Sequence, residues 1–266
     1  MLSVSELYIY PIKSLGGISL PTASLTDRGF EYDRRWMLVD NDNRFLSQRE
    51  IPAMALLQVE LDDQGLLIRH KTREQAPLLI PLQPQGESCI VEVWDDRCPA
   101  NYVSQQVDQW FTTTLQTPCR LVYMPDTSRR HVDGRYAIDK EIVSFADGYP
   151  LLLIGQASLD DLNTRLTSPV PMNRFRPNIV FTGGTPFQED DLKEFTIGDI
   201  TFFGVKRCAR CIITTIDQDT IARSKEPLRT LNEYRKMNNK IYFGQNLLFQ
   251  GTGALSIGDL IKINQP

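Results

Sequence analysis

Six consecutive residues, Lys206-Arg207-Cys208-Ala209-Arg210-Cys211, hold the most reactive chemistry in the chain. Two thiols at C-x-x-C spacing can form a redox dithiol, supply half of a zinc site, or present one thiolate to a soft metal. A zinc site needs a second pair of ligands, and the 266 residues contain no second C-x-x-C and only two histidines, His70 and His131. A thioredoxin-type dithiol should open a helix. Here the motif runs into Ile212-Ile213-Thr214-Thr215-Ile216, a β-branched run that predicts a strand over 211–216. What remains is one reactive thiolate beside three cations, Lys206, Arg207 and Arg210, whose charge favours the sulfur form that ligates soft metals. The competing structural reading is a strand end with two small buried residues and some surface charge.

A second group is Asn173-Arg174-Phe175-Arg176-Pro177-Asn178. Read as a strand, it places Arg174, Arg176 and Asn178 on one face. Two guanidinium forks and an amide suit an anion with hydrogen-bonding edges. A solvated strand face paired with acids fits the same residues. In Tyr10-Pro11-Ile12-Lys13-Ser14-Leu15-Gly16-Gly17, Lys13 and Ser14 stand at a glycine turn that could cradle a phosphate through backbone N–H groups. The spacing is not that of a P-loop, and an ordinary β-turn accounts for it too. Arg34, in Asp33-Arg34-Arg35-Trp36, and Arg49, in Ser47-Gln48-Arg49, are either surface charge or further phosphate donors. Asp147, followed by Gly148, is a turn residue or N-cap, or else a carboxylate that relays protons beside a metal. Asn246 closes Phe243-Gly244-Gln245-Asn246, a turn or a ligand-facing loop.

The elements that must position these residues are mostly strands. Short apolar or alternating runs predict strands at 5–10, 35–40, 56–61, 66–70, 89–94, 120–124, 178–181, 200–205, 246–250 and 260–263. Helical spacing of Val107, Trp110, Phe111 and Leu115 predicts a helix at 104–115. Ser158 followed by Asp161 resembles a capping box and predicts a helix at 158–166. Pro227 in a first turn predicts another at 226–236. Many short strands with few helices imply an α+β, mostly β fold rich in β-barrel, not a doubly wound sheet. A weak boundary near residue 120 divides the chain into a β-rich N-terminal domain, 1–120, and a second domain, 121–266, packed against it.

Net charge is −4 and the pI about 5.3, which argues against broad binding to nucleic acid or membrane surfaces. The local basic clusters are therefore not part of a general excess. No apolar run approaches the ~18–20 residues of a membrane span, and the N-terminus has no signal-like pattern, so a cytoplasmic protein is expected. Five cysteines, an odd number, do not suggest a disulfide framework. A monomer is the expected state.

Together these segments resemble the MOSC family, in the branch with an N-terminal MOSC-type β-barrel domain, and are similar to the mitochondrial amidoxime-reducing components and their bacterial relatives. The likeness rests on Tyr10-Pro11-x-Lys13-Ser14, Asp33-Arg34-x-Trp36, Phe45-Leu46-x-x-Arg49, Asp147-x-x-Pro150 and Ala157-Ser158-Leu159-x-Asp161-Leu162-Asn163. It continues through Phe175-Arg176-Pro177-Asn178-Ile179-Val180, Cys208-x-Arg210-Cys211-Ile212-x-Thr214-Thr215, Glu226-Pro227-Leu228-x-Thr230-Leu231 and Phe243-Gly244-Gln245. The Arg-Cys-Ile-x-Thr-Thr and Phe-Arg-Pro-Asn strings, in this order, are the most specific.

The resemblance implies a molybdenum cofactor between two domains, with Cys211 as the protein thiolate on the metal and Cys208 as a neighbour. It assigns Lys13, Ser14, Arg34, Arg176, Asn178 and Arg210 to the pterin and phosphate end, with backbone from Ala209. Gly148 and Asn246 match positions whose residue type varies. Asp147 aligns with an acidic residue near the metal. The implied activity is reduction of small N-hydroxylated compounds. Its rivals are a carrier that binds the cofactor without turnover and a dithiol redox protein using Cys208 and Cys211. The ferredoxin-like domain of some bacterial relatives has no counterpart here. Electrons would then come from a separate ferredoxin-, flavodoxin- or cytochrome b5-like protein, unless the chain is a fragment.

Overall fold

In the strand Leu2–Ile9, Leu2, Val4, Leu7 and Ile9 are buried and the residues between them are mostly half-exposed. That alternation commits one face of the strand to a core. In the computed structural model, which describes residues 1–263, the strand pairs antiparallel with Ile179–Thr182 on one side and Leu260–Ile263 on the other. The pairing continues through Glu194–Ile197, Ile200–Ala209 and Lys240–Gln250 to Leu151–Gly155. Leu151–Gly155 then lies parallel to Ile179–Thr182 and closes a seven-stranded barrel. Closure leaves no unpaired edge among these strands. Leu7, Ile9, Leu153, Phe181, Phe195, Phe202 and Leu247 fill the inside, and Phe195 stacks on Phe202 with ring centroids 5.5 Å apart.

Between the first and second barrel strands the chain builds a second layer. Trp36–Val39, Arg120–Tyr123, Asp96–Tyr102 and Ser88–Val93 form an antiparallel sheet in that order. Leu57–Asp62, Gly65–His70 and Leu78–Ile80 form a meander beside it. The helix Gln105–Leu115 is capped by the Ser104 hydroxyl and sets Val107, Phe111 and Leu115 into one core with Trp36, Leu57 and Leu121. The fold is mostly β with a minority of helix, as the pattern of short runs implies. Backbone pairing interleaves across residue 120: strand Leu2–Ile9 lies in the barrel, while Arg120–Tyr123 pairs with Trp36–Val39.

Three local expectations change. The stretch 211–216 is not a strand; Ile212–Thr215 is a 3₁₀ turn. The Thr214 and Thr215 hydroxyls donate to the carbonyls of Cys211 and Ile212, and these local bonds outcompete the β preference of the sequence. Nor is 174–178 a strand face. Met172–Arg174 is another 3₁₀ turn, and Arg176 has φ +55°. Arg174 therefore donates to the Thr214 carbonyl and Asp217, away from Arg176's place in the site. Finally, the second helix begins at Gln156, so Ser158 lies within it. Its buried hydroxyl donates to Glu189 Oε2 at 2.7 Å and accepts from the Phe187 N–H at 2.7 Å.

Glu189 has a measurable consequence. Full burial pushes its pKa up from 4.5 to about 7, only partly offset by the Ser158 hydroxyl and two backbone N–H groups. A folded pKa above the unfolded one means the native state holds the proton more tightly. The contribution is complete below pH 4.5 and is lost as pH rises through about 7, roughly 3 kcal/mol over that window. Glu189→Gln, which mimics the neutral acid, should match the unsubstituted protein at pH 5 in urea unfolding and exceed its stability at pH 8. Parallel pH profiles for the two proteins would show that Glu189 does not set this dependence.

Candidate active site

The antiparallel arms Ile200–Ala209 and Lys240–Gln250 are interrupted by irregularities at Gly204/Lys206 and Arg207/Ala209. Gly204 is required there, because a Cβ would lie 2.0 Å from the Leu192 carbonyl oxygen. The arms carry Ala209, Arg210 and Cys211 to one wall of a cleft of about 580 Å³. The Arg210 N–H still bonds to the Ile241 carbonyl at 2.8 Å, so the register holds up to the thiol. The turn after Leu2–Ile9 adds Lys13 and Ser14 to the lining, and the segment before Trp36–Val39 adds Arg34. The eleven residues that the family resemblance assigns to the site all line this one cleft, Lys13, Ser14, Arg34, Asp147, Gly148, Arg176, Asn178, Ala209, Arg210, Cys211 and Asn246, whereas Arg174 does not.

Four non-glycine cleft residues adopt left-handed backbone: Ser14 (φ +69°), Arg34 (+50°), Trp94 (+58°) and Arg176 (+55°). Each such residue costs on the order of 1 kcal/mol, and such strain collects where a site over-determines its backbone. The fixing contacts are visible. Asp33 is buried and accepts from Arg34 Nη1 at 2.6 and 2.8 Å and from the Tyr10 N–H at 2.8 Å. Arg34 also reaches Asn178 Oδ1 at 3.1 Å, and Asn178 is held by the Leu152 N–H and the Tyr8 carbonyl. Gln48, fully buried, donates to the Ser14 carbonyl at 2.7 Å and exchanges two amide bonds with Gln218.

Tyr10 is packed between the cationic groups of the floor. The guanidiniums of Arg34 and Arg176 lie 4.3 and 4.2 Å from its ring centroid, and its hydroxyl donates to the Pro177 carbonyl. Burial pushes the phenol up to about 12, so it stays neutral. Burial and the neighbouring Arg34 draw Arg176 down to about 10, still fully charged at neutral pH. Among the described residues, the Arg176 guanidinium has no hydrogen bond or ion pair; it stacks on Tyr10 with its fork unused. Arg210 donates to the Phe175 carbonyl at 2.6 Å and to Cys208 Sγ at 3.0 Å, but its buried Nε–H has no partner.

The cation beside Cys211 is not one of the three adjacent in sequence. Arg207 pairs with Asp190 at 3.2 Å, Lys206 sits over the Tyr136 ring, and Arg210 turns to Cys208. Arg49, from the other half of the chain, donates to Cys211 Sγ at 3.4 Å. Its guanidinium also lies over Trp94 and 3.9 Å from Asp147 Oδ2. Trp94 was not among the candidates. Its sequence signal is its place as the last residue of the strand expected at 89–94; the observed strand ends at Val93, and the Trp94 indole N–H donates to Asp147 at 3.2 Å.

Asp147 accepts from Lys13 Nζ at 2.5 Å. Lys13 donates also to the Phe145 carbonyl, and Arg130 clamps the carbonyls of Ser144, Ala146 and Asp147. The Asp147 side chain is 64% exposed to the open cleft although protein surrounds the cleft, so water in the cleft screens it. Enclosure raises its carboxyl, but Lys13, Arg49 and the Trp94 N–H outweigh this and hold it well below the usual carboxylate range. Burial pushes the Lys13 ammonium down, against the pull of Asp147. Gly148 has no heavy atom within 4 Å of where a Cβ would stand, so it keeps the cleft open without being sterically required.

Among the described residues, no three His, Cys, Asp or Glu side chains converge as a metal site. The cleft instead offers two half-buried thiols, Cys208 and Cys211, an unused guanidinium fork and a buried orphan N–H. That donor set suits an anionic, hydrogen-bonding group that brings most of its own metal ligands. The residues present therefore fit a metal–pterin cofactor.

The MOSC N-terminal beta barrel domain matches residues 1–118, and the MOSC domain residues 140–262. The chain is 34% identical over 274 residues to mitochondrial amidoxime reducing component 2 of Bos taurus, covering 97% of this chain and 82% of that protein. It is 31% identical over 280 residues to mitochondrial amidoxime-reducing component 1 of Homo sapiens, with 98% and 82% covered. Against the molybdenum cofactor sulfurase of Oryza sativa subsp. japonica it is 32% identical over 288 residues, which is 98% of this chain and 35% of that protein. With both domain types present in order and such relatives matched over nearly its whole length, the chain belongs to the MOSC family, in the branch that joins the N-terminal beta barrel domain to a MOSC domain.

Proposed function

We propose that this chain is a molybdenum-cofactor-dependent oxidoreductase that reduces N-hydroxylated compounds of the amidoxime or hydroxylamine type with electrons from a separate carrier protein. The observation that carries the reading is the meeting, in one cleft, of the Cys211 thiol with the unused Arg176 fork. Relatives named for amidoxime reduction support the choice of substrate. In this reading Cys211 binds the metal. Lys13, Ser14, Arg34, Gly148, Arg176, Asn178, Ala209, Arg210 and Asn246 hold the pterin and its phosphate. When bound, the cofactor supplies the two-electron chemistry that removes oxygen from an N–OH group; the protein supplies ligand, charge and shape.

The chain's own part centres on Asp147. Its carboxylate stays ionised and faces the cleft, so it can orient a substrate N–H or N–OH by accepting from it. Lys13 Nζ lies 2.5 Å from Asp147 Oδ1 and carries a proton that burial makes easier to release. Lys13 Nζ, held against that carboxylate, is the group this reading assigns to deliver a proton to the leaving oxygen. Asp147→Asn should lower kcat roughly 10²-fold while molybdenum content stays level, as expected for loss of a charged group that orients the substrate and Lys13. Unchanged turnover would leave Asp147 as a turn residue.

A carrier reading is favoured by one finding: nearly all of this chain matches about a third of a protein named as a cofactor sulfurase. The test is reduction of an aromatic amidoxime by the molybdenum-loaded protein with reduced methyl viologen as donor. Turnover supports the reductase; stoichiometric molybdenum without turnover supports the carrier.

A further inference from the structure

We infer that Arg49 is a positioning residue for Cys211, and that its hydrogen bond to the sulfur sets how tightly the thiolate holds a metal and at what potential that metal is reduced. The inference rests on the reading that Cys211 is the molybdenum ligand. Among the described residues, Arg49 Nη2 is the one donor that reaches Cys211 Sγ from a different part of the fold, at 3.4 Å. The same nitrogen lies 3.9 Å from Asp147 Oδ2, so it stands between the sulfur and the carboxylate facing the cleft.

Arg49 is held as a part of the site, not as a loose surface charge. Its side chain is 19% exposed and its guanidinium lies 4.6 Å from the Trp94 ring centroid. Its backbone carbonyl accepts from Arg223 Nη2 at 3.2 Å. The neighbouring Gln48 is pinned to Ser14 and Gln218. The turn itself is closed by Glu50, which accepts from the Ser47 hydroxyl at 2.6 Å and the Ser47 N–H at 3.1 Å. Glu50 is thus turned towards Ser47, and among the described residues the charge partner of the guanidinium is Asp147, at 3.9 Å.

A cationic N–H on a ligating sulfur draws electron density from it. That weakens donation to the metal and favours the reduced state, the usual effect of hydrogen bonds on metal-bound thiolates. The contact also reaches the Cys211 side chain itself, whereas the Thr214 and Thr215 hydroxyls and Arg174 hold the backbone of its turn. Two halves of the chain thereby meet at the sulfur.

The test uses the full chain, purified from a host that makes the molybdenum cofactor, with Arg49→Lys and Arg49→Ala variants. Three quantities are measured: molybdenum per protein, thermal unfolding, and the molybdenum reduction potential from a redox titration followed by electron paramagnetic resonance. Loss of partners of this kind costs roughly 10–100-fold in metal affinity. Arg49→Ala should therefore show reduced molybdenum content, while Arg49→Lys retains the metal at a more negative potential, with unfolding little changed in both. Arg49→Lys and Arg49→Ala proteins that both load fully and keep the unsubstituted potential would overturn the inference. Loss of metal together with loss of folding in both variants would overturn it too, by making Arg49 a structural residue. An unsubstituted protein that folds but carries no molybdenum would overturn the underlying reading of Cys211 itself, a distinct result.

Discussion

Cys211→Ser should abolish molybdenum-dependent turnover, a loss of more than about a hundredfold, because removing merely outer partners of a metal ligand already costs 10–100-fold. Serine keeps the shape and loses the soft thiolate, so the effect isolates the sulfur's chemistry. The measurement is elemental analysis together with amidoxime reduction from a chemical donor. Cys208→Ser is the internal control: its sulfur, in the same cleft, accepts from Arg210 at 3.0 Å, and this reading makes it a neighbour of the metal ligand. It should retain most activity. Equal loss in both variants would point to the dithiol reading, and full activity in Cys211→Ser would remove the proposed ligand.

The second large effect is expected at Arg176. Its fork is unused and already oriented by Tyr10, so little is lost in ordering it around an anion. A bidentate charge-assisted contact made there is worth roughly 3 kcal/mol, about a hundredfold in affinity. Arg176→Ala should therefore come off purification with little molybdenum or pterin, while remaining folded, since the guanidinium makes no hydrogen bond among the described residues. Arg176→Lys keeps the charge without the fork and should fall between the two. Unchanged cofactor content in Arg176→Ala would show that the anion is held elsewhere in the cleft. Arg34→Ala would behave differently. It leaves the buried Asp33 without its ion pair and should lower stability as well as binding.

Much of this site is written locally in the chain. C-x-x-C without a second ligand pair argues against a zinc site and points to a single reactive thiolate. The alternation in Leu2–Ile9 and the short apolar runs around 120, 179, 200 and 260 specify strands, because a two-residue period has only one buried face to choose. Ser104 marks its helix start for an equally local reason, a hydroxyl that accepts the Val107 N–H.

Tertiary structure decided what local pattern could not. Thr214 and Thr215 have strand-forming side chains, yet their hydroxyls close a turn instead. Arg174 and Arg176 alternate as a strand would, but a left-handed Arg176 sends one guanidinium to Asp217 and leaves the other in the cleft. The cations next to Cys211 in sequence go to Asp190, Tyr136 and Cys208, and a guanidinium 162 residues away takes their place at the sulfur. The sequence by itself determined the kinds of group available and the strands that carry them, since both depend on residue type and on spacings of a few residues. Which charge meets which sulfur or carboxylate depends on barrel closure and on buried side chains such as Asp33 and Gln48. Those contacts span tens to hundreds of residues, and only the folded chain brings them within hydrogen-bonding distance.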